Sequence, residues 1–146
     1  MWQRIEKEKK AAEHLLYVSL KYTKTCDVIL NLISRWQDMI EVTIDALLNK
    51  LKKKRLIKEI PIAPKAKVNL LSETIRKDET LQEVLKLYLF FKKIKEFEQV
   101  HECEFRKNVA LKIIDGGNVI VIDIEKLKEW NELLERFLAF VKQFIK

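Results

Sequence analysis

The chain has 146 residues, of which 48% are hydrophobic, and it carries 29 Lys and Arg against 22 Asp and Glu. This length and apolar content predict a single domain over residues 1–146 and argue against a disordered chain. The longest apolar runs are far shorter than the roughly 20 residues of a membrane span, and the charged N-terminus has no apolar signal-peptide centre. We therefore expect a cytoplasmic protein that has no membrane partner.

Residues that interrupt helices are scarce, with two glycines and two prolines in the whole chain. Their scarcity predicts long helices and a mainly α fold. The two cysteines, Cys26 and Cys103, lie far apart in sequence and predict reduced, packed thiols rather than a disulfide framework. Abundant Lys, Glu and Ile with little Gln lean towards a thermophilic source.

Apolar residues recur with helical spacing in the first third of the chain. They predict a first helix over residues 3–22, a turn over residues 23–25 and a second helix over residues 26–53. The second helix has the clearest pattern, and at 1.5 Å per residue it is about 42 Å long. Its apolar stripe contains Ile29, Ile33, Trp36, Ile40, Ile44, Leu47 and Leu51.

A basic connector follows over residues 50–67 and contains both prolines, Pro61 and Pro64. Its eight cations and single anion, Glu59, account for the formal charge of +7, because the rest of the chain has 21 charges of each sign. Such a concentration of charge attracts polyanions. The candidate nucleic-acid-binding residues are Lys50, Lys52, Lys53, Lys54, Arg55, Lys58, Lys65 and Lys67.

The second half of the chain predicts further helices and one hairpin. A short helix is expected over residues 67–76 and a long one from the cap residue Asp78 to about Arg106. Gly116 and Gly117 separate two apolar runs, which predicts a β-hairpin over residues 109–124 that pairs Ile113 with Ile120. A last helix over residues 124–145 completes a bundle of four or five helices, in which the hairpin is the only regular sheet.

Candidate catalytic and metal-binding residues are few. The two histidines, His14 and His101, have no serine or cysteine nearby in a known nucleophile pattern. His101 and Cys103 lie two residues apart on the predicted long helix, so that they point to different sides and do not share an ion. Glu98 and His101 could share a face, but two ligands do not complete a zinc site. We therefore predict no catalytic residues, no metal site and no cofactor.

The order of elements along the chain resembles that of HEPN-like helical domains. Two long helices come first, followed after the connector by the segment Lys67-Val-Asn-Leu-Leu71 and then by a long helix that ends in Glu104-Phe-Arg-Lys-Asn108. The resemblance implies a helical bundle that often forms a homodimer and acts in RNA or toxin–antitoxin contexts. Ribonucleases of this family carry a catalytic His four to six positions after an Arg. After Arg106, Leu111 and its neighbours fill those positions, and His101 comes before Arg106 and not after it. The catalytic His of the family pattern is therefore missing.

Three functional hypotheses follow. The leading one is a non-catalytic protein that binds RNA or DNA through the basic connector. The second is a protein–protein interaction or assembly module, in which the connector meets an acidic partner or is only a solvated linker with cations at a helix end. The third is a degenerate HEPN-type ribonuclease that uses Arg106.

Overall fold

Five helices and a small antiparallel sheet form the part of the chain that the computed structural model describes, residues 2–146. The predicted mainly α fold, with a hairpin before the C-terminal helix, is confirmed. The predicted domain starts at Met1, which lies outside the described residues. Helix α1 has three consecutive parts: Trp2–His14, a π-helical turn at Leu15–Ser19, and Leu20–Tyr22. The later helices are α2 (Cys26–Lys53), α3 (Pro64–Thr74), α4 (Glu79–Lys93) and α5 (Ile124–Phe144).

Short polar side chains begin three of these helices. Thr25 Oγ1 accepts a hydrogen bond from the backbone N–H of Val28, three residues into α2, at 3.3 Å. Asp78 and Asp123 do the same at the starts of α4 and α5, each at 2.8 Å. Such caps satisfy backbone donors that have no partner inside the helix. The predicted turn at residues 23–25 and the predicted bounds of α2 are therefore confirmed.

Helix α3 begins three residues earlier than predicted, at Pro64. Proline suits the first helical position, because its fixed φ is already helical and the N–H that it lacks would have no helical partner there. The connector is therefore shorter than predicted. Lys65 and Lys67 consequently lie in the first turn of α3 and not in an irregular segment.

The predicted long helix after Asp78 is wrong in its second half. Helix α4 ends at Lys93, a 3-10 turn follows at Ile94–Glu96, and strand β1 covers Glu98–Glu102. Strand β1 pairs antiparallel with β2 (Ala110–Asp115), which makes the sheet three-stranded and contradicts the prediction of an isolated hairpin. The apolar residues of Glu98–Glu102 have only a weak helical spacing, and pairing with the exposed edge of β2 stabilises this segment as a strand. Strand formation depends on such tertiary contacts.

The hairpin itself has the predicted register. Strand β2 pairs with β3 (Asn118–Asp123), with Ile113 opposite Ile120 and Leu111 opposite Ile122. Leu111, Ile113 and Ile122 are buried against the helices, whereas Val119 and Val121 are exposed on the other face. In the two-residue turn, a positive φ occurs at Gly116 (58°) and not at Gly117, which is the pattern of a type II′ turn.

The hydrophobic core includes residues from all five helices and from strands β2 and β3. Trp36 is 1% exposed, and its ring stacks on Phe91 with the centroids 6.2 Å apart. Trp130 is 9% exposed and packs edge-on against the same Phe91 at 5.4 Å. Both tryptophans are therefore core residues, as the place of Trp36 on the apolar stripe of the second helix led us to expect for that residue. Their burial leaves neither indole as a platform for a ligand.

Candidate functional site

The predicted basic connector lies at the end of the bundle where α2 and α5 terminate. Lys50 Nζ donates to the carbonyl oxygen of Lys146 at 2.9 Å, and Lys54 Nζ lies 4.6 Å from the ring centroid of Phe144. A groove of about 490 Å³ at this end is lined by Trp2, Ala46, Asn49, Lys50, Lys53 and Ile145. Three distant parts of the chain therefore meet at the basic end of the molecule.

Six of the eight predicted cations are exposed to solvent, and we call them the basic surface. None of the six forms an ion pair with another residue in the range 2–146. They come from the end of α2, the turn after it, the connector and the start of α3. The basic surface consists of Lys52, Lys53, Lys54, Arg55, Lys58 and Lys65.

The other two cations, Lys50 and Lys67, are partly buried and bonded within the protein. Lys67 Nζ lies 2.8 Å from Asp45 Oδ1, across the interface between α3 and α2. Beside this pair, the Tyr88 hydroxyl donates to Glu41 Oε1 at 2.9 Å. Burial and the Glu41 carboxylate raise the pKa of Tyr88 above its usual value. These bonds join three helices, which gives Lys67 a structural role.

The turn that follows α2 holds Arg55 in a left-handed conformation with φ of 61°. The N–H of Leu56 bonds to the carbonyl oxygen of Leu51, and the N–H of Arg55 bonds to that of Lys52, each at 3.0 Å. This pair of bonds is the Schellman motif, in which glycine usually occupies the left-handed position. Arg55 therefore has a backbone conformation that is unfavourable for a residue with a Cβ atom, and its side chain projects into solvent.

Two aromatic and two aliphatic side chains accompany the basic surface. Residues 50–67 contain no aromatic residue, but the fold brings Trp2 and Phe144 to the same end. No local pattern reveals this proximity, because it depends on helix ends that are distant in sequence. Within the connector itself, Leu56 is 61% exposed and Ile62 is 94% exposed.

A second group of polar side chains lies at the opposite end of α2. Cys26, His101 and Glu104 each offer one donor atom, and the three atoms lie within 4.8 Å of one another. The Nδ1 atom of His101 is 3.5 Å from Glu104 Oε1, which also accepts from the backbone N–H of Cys26 at 3.1 Å. The Cys26 thiol donates to the Ala110 carbonyl at 3.4 Å. Burial, together with the Glu104 carboxylate, raises the pKa of this thiol to about 11.

The sheet, and not a helix, brings this group together. His101 lies on β1 opposite the buried Leu111, so that it points towards the helices. The turn after β1 has positive φ at Cys103 (54°) and Phe105 (65°), which returns Glu104 to the start of α2. The prediction that His101 and Cys103 lie on one helix is wrong, because His101 lies on β1 and Cys103 lies in the turn that follows it. Cys103 is exposed and does not belong to the group.

Arg106, the residue singled out by the HEPN resemblance, is exposed in the turn between β1 and β2. Its backbone N–H bonds to the Cys103 carbonyl at 3.1 Å. The segment Glu104-Phe-Arg-Lys-Asn108 is therefore a turn and not the end of a long helix. The family resemblance stays a prediction.

No family model, curated protein or solved structure matches the chain. Within residues 2–146, no helix combines the length and the apolar character that crossing a membrane requires. The two groups of side chains at the ends of α2 are therefore the candidate functional sites of the described chain.

Proposed function

We propose that the protein binds nucleic acid, without sequence preference, through the basic surface. The observation that carries the proposal is the solvent exposure of six cations that have no carboxylate partner among the described residues. The remainder of the chain is close to neutral, so the positive potential is concentrated at one end. Such a concentration attracts the phosphate backbone and releases its condensed counterions.

Helix-end electrostatics account for part of this charge only. Lys52 and Lys53 lie in the last turn of α2, where cations are stabilised by the negative end of the helix dipole. Lys65, in contrast, lies in the first turn of α3, where the dipole disfavours a cation. That turn has no acidic residue and no side-chain cap from within the described chain. Lys65 and the positive helix end therefore both favour an anion, which supports a binding role.

The aromatic residues at this end favour single strands as well as duplexes. Stacking of bases on aromatic rings, combined with a basic groove, is the usual means of binding single-stranded nucleic acid. Trp2 and Phe144 are partly exposed beside the basic surface. Because stacking accepts every base, this arrangement fits binding that does not depend on sequence.

Fluorescence anisotropy of labelled duplex DNA, single-stranded DNA and RNA, from low to physiological salt, tests the proposal. If all six cations contact phosphates of duplex DNA, log K should fall with log salt with a slope of about −5. The triple change Lys53→Glu, Lys54→Glu and Arg55→Glu should abolish binding while the fold is retained, since exposed charges contribute little to stability.

A matched control places the same change in charge at the other end of the molecule. Lys93, Lys95 and Lys128 are exposed near the sheet, and reversing all three should leave binding much less affected. Two results would contradict the proposal. One is no binding of any of the three nucleic acids at low salt, and the other is equal loss of binding in both triple variants.

A protein–protein interaction module is the second candidate, and the exposed Leu56 and Ile62 favour it. Apolar side chains among cations suit an acidic partner that also presents an apolar contact. Changing both residues to Ser should weaken such an interaction and leave the electrostatic binding of nucleic acid nearly unchanged. The two candidates are therefore separated by the charge-reversal variant on one side and the Leu56→Ser, Ile62→Ser variant on the other.

A further inference from the structure

The group formed by Cys26, His101 and Glu104 has dimensions close to those of a metal site. In a tetrahedral zinc site with bonds of about 2.0–2.3 Å, the ligand atoms are about 3.3–3.6 Å apart. The His101 Nδ1 to Glu104 Oε1 distance is 3.5 Å, and all three donor atoms lie within 4.8 Å of one another. If the longer distances between these donor atoms shortened by about 1 Å, all three atoms could coordinate one ion.

The donor types select the class of metal. A thiolate, an imidazole and a carboxylate are the three side-chain ligands that zinc uses in proteins, whereas Mg²⁺ and Ca²⁺ prefer oxygen donors alone. We infer that Cys26, His101 and Glu104 bind a divalent transition metal ion of the zinc class, with a water molecule as the fourth ligand. The site lies at the opposite end of α2 from the basic surface and does not depend on the proposed function.

Loading of the site involves proton release and no redox change. The S–H bond of Cys26 breaks, the proton passes to solvent, and the sulfur donates an electron pair to the ion. His101 donates the lone pair of a neutral ring nitrogen, and Glu104 donates a carboxylate oxygen. Two negative ligands neutralise the charge of the ion, which lowers the cost of placing it beside the buried Cys26.

The surrounding backbone holds two of the ligands in position. The N–H of Cys26 donates to the Glu104 carboxylate at 3.1 Å, which is the kind of supporting bond that orients metal ligands. The N–H of Phe105 bonds to the Lys24 carbonyl at 2.6 Å and joins the turn after β1 to the residues before α2. A bound ion would strengthen this connection between segments 78 residues apart.

A nucleophilic cysteine is the competing interpretation, and the geometry disfavours it. A nucleophile needs an accessible sulfur and a nearby base that removes its proton. Cys26 is 0% exposed, and its thiol donates to the Ala110 carbonyl and not to His101. His101 and Glu104 are partly open to solvent, with side chains 40% and 36% exposed, so an ion can approach from their side.

The test uses the full chain, freed of metal with a chelator and then titrated with Zn²⁺ by calorimetry and with Co²⁺ by absorption spectroscopy. We expect saturable one-to-one binding of Zn²⁺ and a thiolate-to-cobalt charge-transfer band with Co²⁺. Cys26→Ser should abolish the band. His101→Ala and Glu104→Gln should each weaken Zn²⁺ binding at least about tenfold, since loss of even a supporting residue costs roughly 10–100-fold.

The chain provides matched controls for the thiol and for the imidazole. Cys103→Ser removes the other thiol, which is exposed, and His14→Ala removes the other imidazole, which lies on α1 and does not belong to the group. Both variants should bind Zn²⁺ and Co²⁺ as the wild type does. Titration with Mg²⁺ should give no binding at this site, because two of the three donors are not oxygen.

Three results would overturn the inference. The first is the absence of saturable Zn²⁺ binding by the wild-type chain. The second is a charge-transfer band that persists in Cys26→Ser and disappears in Cys103→Ser. The third is unchanged Zn²⁺ affinity in both His101→Ala and Glu104→Gln. Because the side chains of His101 and Glu104 are partly open to solvent, these two variants keep the test valid even if Cys26→Ser disturbs the core.

Discussion

Lys67 Nζ lies 2.8 Å from Asp45 Oδ1, so that a lysine in the first turn of α3 is bound to the C-terminal third of α2. Lys65, only two residues earlier in the same turn, projects into solvent. In sequence the two lysines look equivalent, since both belong to one basic connector. In the fold, Lys67 neutralises a partly buried carboxylate, and Lys65 adds to the basic surface.

This difference predicts opposite effects of the same substitution at the two positions. Lys67→Ala should lower the free energy of unfolding by about 1 kcal/mol, because it leaves Asp45 without its partner, and should leave the salt dependence of nucleic-acid binding unchanged. Lys65→Ala should change stability by less than about 0.5 kcal/mol and reduce the slope of log K against log salt by about 0.9. Urea titration and anisotropy measure the two quantities. A reduced slope in Lys67→Ala alone would contradict the assignment.

Much of the fold follows from local patterns in the sequence. The bounds of Cys26–Lys53, the capping roles of Asp78 and Asp123, and the hairpin register all depend on residues within a few positions of one another. Helical spacing and short polar caps therefore predict these features directly.

The remaining features depend on contacts between distant segments. Strand β1 forms because the exposed edge of β2 is available to it, and nothing within Glu98–Glu102 signals that edge. The Cys26 group is a consequence of the same strand, since His101 faces the helices only when β1 is paired. The separation of Lys67 from the basic surface likewise depends on Asp45, which lies 22 positions away.

Two substitutions of Arg55 separate the effect of its charge from the effect of its strained backbone conformation. Arg55→Gly removes one cation and also relieves a left-handed conformation that costs about 1–2 kcal/mol for a residue with a Cβ. After allowance for the greater flexibility of glycine in the unfolded chain, the variant should be about 0.5–1 kcal/mol more stable than the wild type. Arg55→Ala removes the same charge and keeps the strain, so it should bind nucleic acid as weakly without the gain in stability. Equal stability of the two variants would show that the turn is not strained.

The hairpin turn predicts unequal effects at its two glycines. Gly116 has a φ of 58°, and a β-branched side chain there is strained even though no neighbouring atom lies within 4 Å. Gly116→Val should therefore lower the free energy of unfolding by about 1–2 kcal/mol. Gly117 has no positive φ and the same open surroundings, so Gly117→Val should lower the free energy of unfolding less than Gly116→Val does. Thermal unfolding of the two variants distinguishes these assignments, and a larger loss in Gly117→Val would contradict them.

Tyr88 predicts a specific loss of stability at high pH. Its pKa in the fold is raised above the ordinary value of about 10 by burial and by the Glu41 carboxylate that accepts its hydrogen bond. Below pH 10 the phenol is protonated in both the folded and the unfolded chain, so its contribution to stability is fully present. As the pH rises above 10, the unfolded chain loses this proton while the folded chain keeps it, and the free energy of unfolding falls by about 1.4 kcal/mol per pH unit.

Tyr88→Phe should remove this extra slope, because it has no proton to lose, while costing about 0.5–1.5 kcal/mol at neutral pH through the missing hydrogen bond. Tyr22 is the matched control, since its side chain is 78% exposed and its hydroxyl faces water in both states. Urea titrations of the wild type and the two variants between pH 8 and pH 11.5, roughly the range that brackets the ordinary tyrosine pKa, measure the slopes. The wild type and Tyr22→Phe should lose stability at the same rate above pH 10, and Tyr88→Phe more slowly. Parallel curves for all three proteins would contradict the raised pKa of Tyr88, because equal slopes mean that the phenol loses its proton as readily in the fold as in the unfolded chain.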